Sequence, residues 1–120
     1  MDRKAREGFP KRHRIVRGSE YRVIYSTGRK LQSERFVLFC RVNDLPYPRL
    51  GITVTRKVGS SVVRNRIKRL FREVFRRSSG EIPNHCDLVF NAKSTCASTS
   101  YRELREEFLA AVHRLCRQSA

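Results

Sequence analysis

Between Arg56 and Arg77 the sequence places nine lysines and arginines against a single acid, Glu73. With almost no carboxylate one helical turn away to pair with, the repulsion among these cations is left uncompensated. The chemistry they offer is neutralisation of a polyanion. Bond breaking would need other groups: a protein that hydrolyses phosphodiesters alone uses carboxylates to hold metal ions or to act as a general base. The acids here are few and scattered. Asp44 falls in a turn, Glu73 inside the basic stretch, Asp87 at the opening of a strand, and Glu103 at a helix start. No H-x-x-H or D-x-D spacing occurs, and His13, His85 and His113 have no partnered arrangement, so no catalytic residue and no metal site is assigned to the chain.

The cysteines give a similar answer. Cys40, Cys86, Cys96 and Cys116 lie far apart with no C-x-x-C, which suits free thiols packed as small hydrophobes. The alternative is zinc, with His113 and Cys116 three residues apart on one helix and Cys86 and Cys96 completing a tetrahedron. Close paired spacing is missing from its second half.

The elements that position the cations are legible around them. Leu50, Ile52 and Val54 alternate with Gly51, Thr53 and Thr55, a period of two that predicts a strand. Gly59 breaks the run, and Ser60 or Ser61 can cap the helix that follows. At about 100° per residue, Val63, Ile67, Leu70, Phe71 and Val74 share one arc with Phe75 at its edge, which makes that arc the buried face. Asn65, Lys68, Arg69, Arg72 and Arg76 point away from it, and Arg64, Arg66 and Arg77 lie on the flanks.

In this stretch the sequence resembles the protein subunit of bacterial ribonuclease P. The resemblance rests on Pro48-Arg49-Leu50-Gly51-Ile52-Thr53-Val54, the pair Arg56-Lys57, Val58-Gly59, then Arg64-Asn65-Arg66-Ile67-Lys68-Arg69 and Arg72-Glu73. It continues in weaker form from about Arg14 to Leu115. Arg56 stands where that family more often has lysine, and Ser60-Ser61 replace its usual Asn-Ala; both swaps keep charge or capping capacity.

The remaining chain is read around this centre. Its 120 residues allow one domain, with net charge +16 and pI near 11.0, values that point to nucleic acid or an anionic membrane. No apolar run approaches the roughly 20 residues of a membrane span. Residues 1–17 lack the apolar core of a secretory signal, so the cytoplasm is expected. Residues 1–13 read as a basic, flexible arm, and 14–120 as a single RNA-binding domain. A helix is predicted from Gly18-Ser19, with Ser19 as N-cap and Gly28 as its C-terminal left-handed residue, and with Tyr21, Ile24 and Tyr25 on one side. Arg29 to Gln32 suits a short edge strand. Arg35 to Val42 is a clearer one, with Phe36, Leu38, Cys40 and Val42 on one face and Arg35, Val37, Phe39 and Arg41 on the other. That second face, aromatic and cationic, suits single-stranded RNA. Asp87 to Ala92 reads as a short buried strand. Ser100 and Glu103 form a capping box for a last helix to about Arg117, whose apolar stripe includes Leu104, Phe108 and Val112.

The order α-β-β-β-α-β-α gives an α+β fold, a two-layer sandwich of helices on a four-stranded mixed sheet. Handedness rules favour a right-handed crossover through the basic helix, whereas the family resemblance implies a left-handed β-α-β crossover. The resemblance also implies a function: a subunit of the ribonuclease P holoenzyme, the endoribonuclease that removes the 5′ leader from precursor tRNA, with the active site and its Mg2+ in the RNA subunit. The expected partners are that catalytic RNA and precursor tRNA, with no membrane and no obligate protein partner. Arg56, Lys57, Arg64, Asn65, Arg66, Lys68, Arg69 and Arg72 are the expected RNA-binding residues. Tyr21, Tyr25 and Phe39 are the matched aromatics of the leader-binding cleft, although a tyrosine on the inner side of a helix equally suits a core. A ribosomal or general RNA-binding protein would explain the charge as well, and a DNA-architectural protein would also be basic.

Overall fold

The structure, a computed structural model, describes residues 11–83 and 85–117. Its elements are α1 (Gly18–Thr27), β1 (Arg29–Gln32), β2 (Phe36–Val42), β3 (Arg49–Thr53), α2 (Ser61–Arg77), β4 (Cys86–Ala92) and α3 (Tyr101–Arg117), with short 3-10 turns at Lys11–His13, Ser79–Glu81 and Ser94–Ser98. The sheet order is β1-β2-β4-β3. Strand β2 runs antiparallel to both β1 and β4, while β3 pairs with β4 in parallel, so α2 is the crossover between two neighbouring strands.

The period of two along the strands decides where each helix packs. Phe36, Leu38 and Cys40 of β2 and Leu88 and Phe90 of β4 point to one face, where they meet Ile67, Phe71 and Val74 of α2 and Leu104, Phe108 and Val112 of α3. Phe90 lies between Phe71 and Phe108, with ring centroids 5.1 and 4.5 Å away. Each such ring or branched side chain, fully removed from water, contributes about 1.5–3 kcal/mol. This layer is the main core. On the opposite face α1 seats Ile24 against Val89 and Ile15, with Tyr21 and Phe39 at the margin. One short helix cannot cover a four-stranded sheet, so part of that face stays open.

Local signals explain the helix starts. The Ser60 hydroxyl accepts from the Val63 N–H and begins α2, and Ser100 with Glu103 makes the reciprocal pair of bonds expected before α3. Helix α1 departs from expectation. It begins at Gly18 with Arg17 at the N-cap and no side-chain cap, which puts Ser19 inside the first turn. Gly28 is extended at φ −80° and is not a left-handed terminator. What selects glycine there is proximity: a Cβ would lie 2.6 Å from the Ile24 carbonyl oxygen and 2.9 Å from that of Cys40.

Two arginines at the strands are fixed by acids, Arg49 by the buried Asp87 and Arg35 by the half-buried Glu107. Arg49 donates from Nε and Nη2 to both oxygens of Asp87, at 2.9 and 2.8 Å, and Asp87 is only 2 % exposed. The Asn43 amide also donates to Asp87, and Glu20 lies 3.2 Å from Arg49 Nη1. Arg35, expected beside Phe39 on the aromatic face, instead turns to α3 and bonds Glu107 at 2.9 Å. Its backbone N–H and the Ser33 hydroxyl bond the same carboxylate.

Candidate nucleic-acid interface

The strand register builds the open part of the sheet. Lys30, Phe39, Val89 and Gly51 align in one row across the four strands, and Gln32, Val37, Asn91 and Thr53 in the next. Ile24 buries Val89 in the first row. Tyr25, one residue further along α1, reaches the second: its hydroxyl donates to Asn91 Oδ1 at 3.0 Å and lies 3.4 Å from Thr53 Oγ1. Its ring meets Phe39 edge-on with centroids 4.8 Å apart, and Tyr21 continues the series at 6.2 Å. The three aromatics expected to act together therefore form one contiguous wall. Tyr25 is 37 % exposed, and Tyr21 and Phe39 are half-buried, so all three keep ring surface available for stacking.

Tyr21 depends on the glycine of the β3 motif. An added Cβ at Gly51 would lie 2.7 Å from the Tyr21 hydroxyl oxygen and 2.9 Å from Cζ, so the ring occupies the space a side chain would fill. The Tyr21 hydroxyl donates to the Ile15 carbonyl at 3.1 Å. Burial, and then the neighbouring Tyr25, push its pKa up, which keeps it a neutral donor. Beside it a hollow of about 180 Å³ is walled by Arg14, Gly51, Ile52, Lys68 and Arg72. The aromatic wall thus runs into cations.

Helix α2 has two different charged flanks. Lys68 and Arg72 line the hollow on the groove side. Burial, and then the charge of Arg14, lower the pKa of Arg72, as expected where cations converge without an acid between them. Asn65 and Arg69 are exposed on the crest, as are Arg56 and Lys57 in the turn before the helix. Arg64 is half-buried and donates from Nε to the Gly59 carbonyl at 3.2 Å. The opposite flank faces α3. There Arg66 donates to the carbonyls of Ala97 and Thr99, at 3.1 and 2.6 Å, and Arg77 lies over the Tyr101 ring. Arg66 therefore fastens α2 to the turn that leads into α3.

Among the described residues the ion pairs gather elsewhere, on Arg35, Arg49, Arg76, Arg77, Arg102 and Arg105. None involves Arg56, Lys57, Arg64, Lys68, Arg69 or Arg72. Among the described residues, the cations of α2 that make no ion pair with an acid thus include those on its groove side and crest. No acid lines the hollow. Its donor set does not suit Mg2+, which asks for carboxylate or phosphate oxygens.

The four cysteines are free and buried. The ligand set considered for zinc does not assemble: His113 is exposed, and Cys86 and Cys116 meet Cys40 in place of Cys96. The groove also holds residues that sequence reasoning missed. Lys30 places Nζ 5.7 Å from the Phe39 ring centroid, a neighbour that only the strand register reveals. Asn91 and Thr53 supply the polar floor. Arg14, assigned to the arm's border, is drawn to the hollow because its residue bridges Leu50 beside β3. Nearby, His13 Nδ1–H donates to the Pro48 carbonyl at 2.9 Å. The first ten residues of the arm lie outside the described residues.

Comparison with known proteins agrees with this geometry. The family model described as Ribonuclease P matches residues 9–116. The ribonuclease P protein component of Alkaliphilus metalliredigens is 33 % identical over 103 residues, covering 86 % of this chain and 93 % of the relative. That of Thermotoga maritima is 45 % identical over 83 residues, covering 69 % and 71 %. The solved T. maritima RNase P protein superposes with a TM-score of 0.79 at 35 % identity, covering 84 % of this chain and 96 % of that one. A mutant RNase P protein from Staphylococcus aureus gives 0.80 at 26 % identity, covering 97 % and 95 %. With the match running from the basic stretch through the aromatic wall to the last helix, the chain belongs to the ribonuclease P protein family and is a protein subunit of that ribonucleoprotein enzyme.

Proposed function

We propose that this subunit holds two RNAs at once, the catalytic RNA through the crest of α2 and the 5′ leader of precursor tRNA along the aromatic wall. The observation that carries the reading is the continuity between the two. Phe39, Tyr25 and Tyr21 lead directly to Lys68, Arg72 and Arg14. Single-stranded RNA needs rings on which unpaired bases stack and cations that follow its backbone, and stacking tolerates any sequence because every base has a π-face. Arg56, Lys57, Arg64, Lys68, Arg69 and Arg72 supply the electrostatics, with Asn65 within reach of a phosphate. Arg66 contributes by holding the helix in place.

Two polyanions repel each other, and magnesium ordinarily screens that repulsion. A cationic surface between them releases condensed counterions and lowers the magnesium concentration at which they assemble. The catalytic magnesium ions are bound mainly by the RNA, and the phosphodiester is cleaved there in the cytoplasm. No helix among the described residues is long and apolar enough to cross a membrane. The test is reconstitution: the purified chain, the catalytic RNA and precursor tRNA at low magnesium. Leader removal is expected only when chain and catalytic RNA are both present. Cleavage that ignores either one would refute the proposal.

A further inference from the structure

Cys40 on β2, Cys86 at the start of β4 and Cys116 in the last turn of α3 bring three sulfurs together inside the core. All three Sγ atoms lie within 4.8 Å of one another, and those of Cys40 and Cys116 are 3.2 Å apart. The register explains half of this. Cys40 pairs with Leu88 and Cys86 with Val42, so the two cysteines sit diagonally on the same face of neighbouring strands. Helix α3 then lowers Cys116 onto them. Their exposures are 1, 5 and 4 %.

Sulfur in this arrangement has a coordination chemistry that its packing does not use. Three thiolates around one metal at about 2.3 Å would stand about 4.0 Å apart in a trigonal plane, by simple geometry from the usual metal–thiolate length. The observed spread brackets that spacing, and the Cys40–Cys116 pair needs to open by less than about 1 Å. Zinc asks for a fourth donor. Among the described residues no further His, Cys, Asp or Glu joins the group. Asp87, next to Cys86, is committed to Arg49 and Asn43, and His113, one turn before Cys116, is exposed. Soft thiolate sites without a fourth donor suit a d10 monovalent cation.

We propose that Cys40, Cys86 and Cys116 form a trigonal thiolate site for copper(I). Each sulfur that binds gives up its proton to solvent as the Cu–S bond forms, and no electron is transferred. A bound ion would staple the end of α3 to β2 and β4, on the face of the sheet away from the aromatic wall. It should therefore affect stability and leave RNA binding alone.

The experiment titrates the reduced full-length chain anaerobically with copper(I) against a competing chelator. One equivalent is expected to bind, with affinity rising with pH because protons are released and with a higher melting temperature because the ion binds the folded state. Cys86→Ser and Cys116→Ala should each lower affinity by more than the roughly 100-fold that loss of a supporting contact costs, and Cys96→Ser should retain it. X-ray absorption on the unaltered chain, which needs no variant to fold, should find three sulfur neighbours around copper and no nitrogen or oxygen. Binding below one equivalent, equal loss in Cys96→Ser, equal affinity in the urea-unfolded chain, or a nitrogen or oxygen neighbour would each overturn the proposal.

Discussion

Replacing Gly51 with alanine should damage the groove from beneath. The new Cβ would sit 2.7 Å from the Tyr21 hydroxyl oxygen, 2.9 Å from Cζ and 3.0 Å from Cε1. Ordinary carbon contacts are about 3.5–4.0 Å, so the ring must retreat by roughly 0.5–1 Å. Its hydroxyl already stands 3.1 Å from the Ile15 carbonyl, and a retreat of that size breaks the bond, at a cost of about 1 kcal/mol. Overpacking at the strand adds about 1–3 kcal/mol. The sum, about 2–4 kcal/mol, corresponds to a fall in Tm of roughly 8–16 °C at the unfolding entropy usual for a chain of 120 residues. The assay is a double-mutant cycle by thermal unfolding with Gly51→Ala, Tyr21→Ala and the pair. Once Tyr21 is removed, Gly51→Ala should cost less than about 1 kcal/mol, because there is nothing left to displace. An equal cost in both backgrounds would refute the steric reasoning, as would a loss below about 0.5 kcal/mol in the unaltered chain.

The two charged flanks of α2 should separate in one comparison. Arg66→Gln loses its charged bonds to the Ala97 and Thr99 carbonyls and should lower stability by about 1.5–3 kcal/mol. Arg69→Gln should leave stability within about 0.5 kcal/mol while reducing the slope of log affinity against log salt by about 0.7–0.9; the reverse pattern would contradict a fastening role for Arg66 and a phosphate-binding role for Arg69. Acid titration tests the Glu107 anchor. Burial raises its pKa, but the Ser33 hydroxyl and the Arg35 backbone and guanidinium outweigh this and hold it below the ordinary 4.5. The unfolded chain therefore binds that proton more readily, so the contribution to stability is fully present above about pH 4.5 and is lost as pH falls through the depressed folded value. Glu107→Gln should flatten the stability–pH curve in that acid window, and an unchanged curve would exclude the anchor.

What could be read from the sequence was whatever repeats locally. The buried arc Ile67, Phe71 and Val74, the Ser60 cap, the Ser100–Glu103 box and the alternation of β2 from Phe36 to Cys40 all follow from spacings of two to four residues, and the structure has them; at the ends of β2 the pattern fails, since Val42 is exposed and Arg35 turns to α3. The aromatic wall was found through resemblance, since the 3.6-residue period puts Tyr21 and Tyr25 on one side of α1 without saying whether that side is sealed. What escaped was set by distant partners. Arg49 and Asp87 are 38 residues apart, Arg35 and Glu107 72, and Cys40 and Cys116 76. No local period connects such pairs; they meet only after the strands have chosen their neighbours. Arg66 shows the same limit, because its charge looks like its neighbours' until α3 is docked beside it.

The central claim is that the aromatic wall holds the leader, and the most direct measurement is the affinity of the reconstituted holoenzyme for precursor tRNA with and without its 5′ leader, before and after Tyr25→Ala. Tyr25 is the most exposed ring of the wall, and losing one stacked base costs about 1–3 kcal/mol. The preference for the leader-bearing RNA should therefore fall roughly 5- to 150-fold, with affinity for the leaderless RNA unchanged. A leader preference that survives the substitution, or an equal loss for both RNAs, would contradict the account.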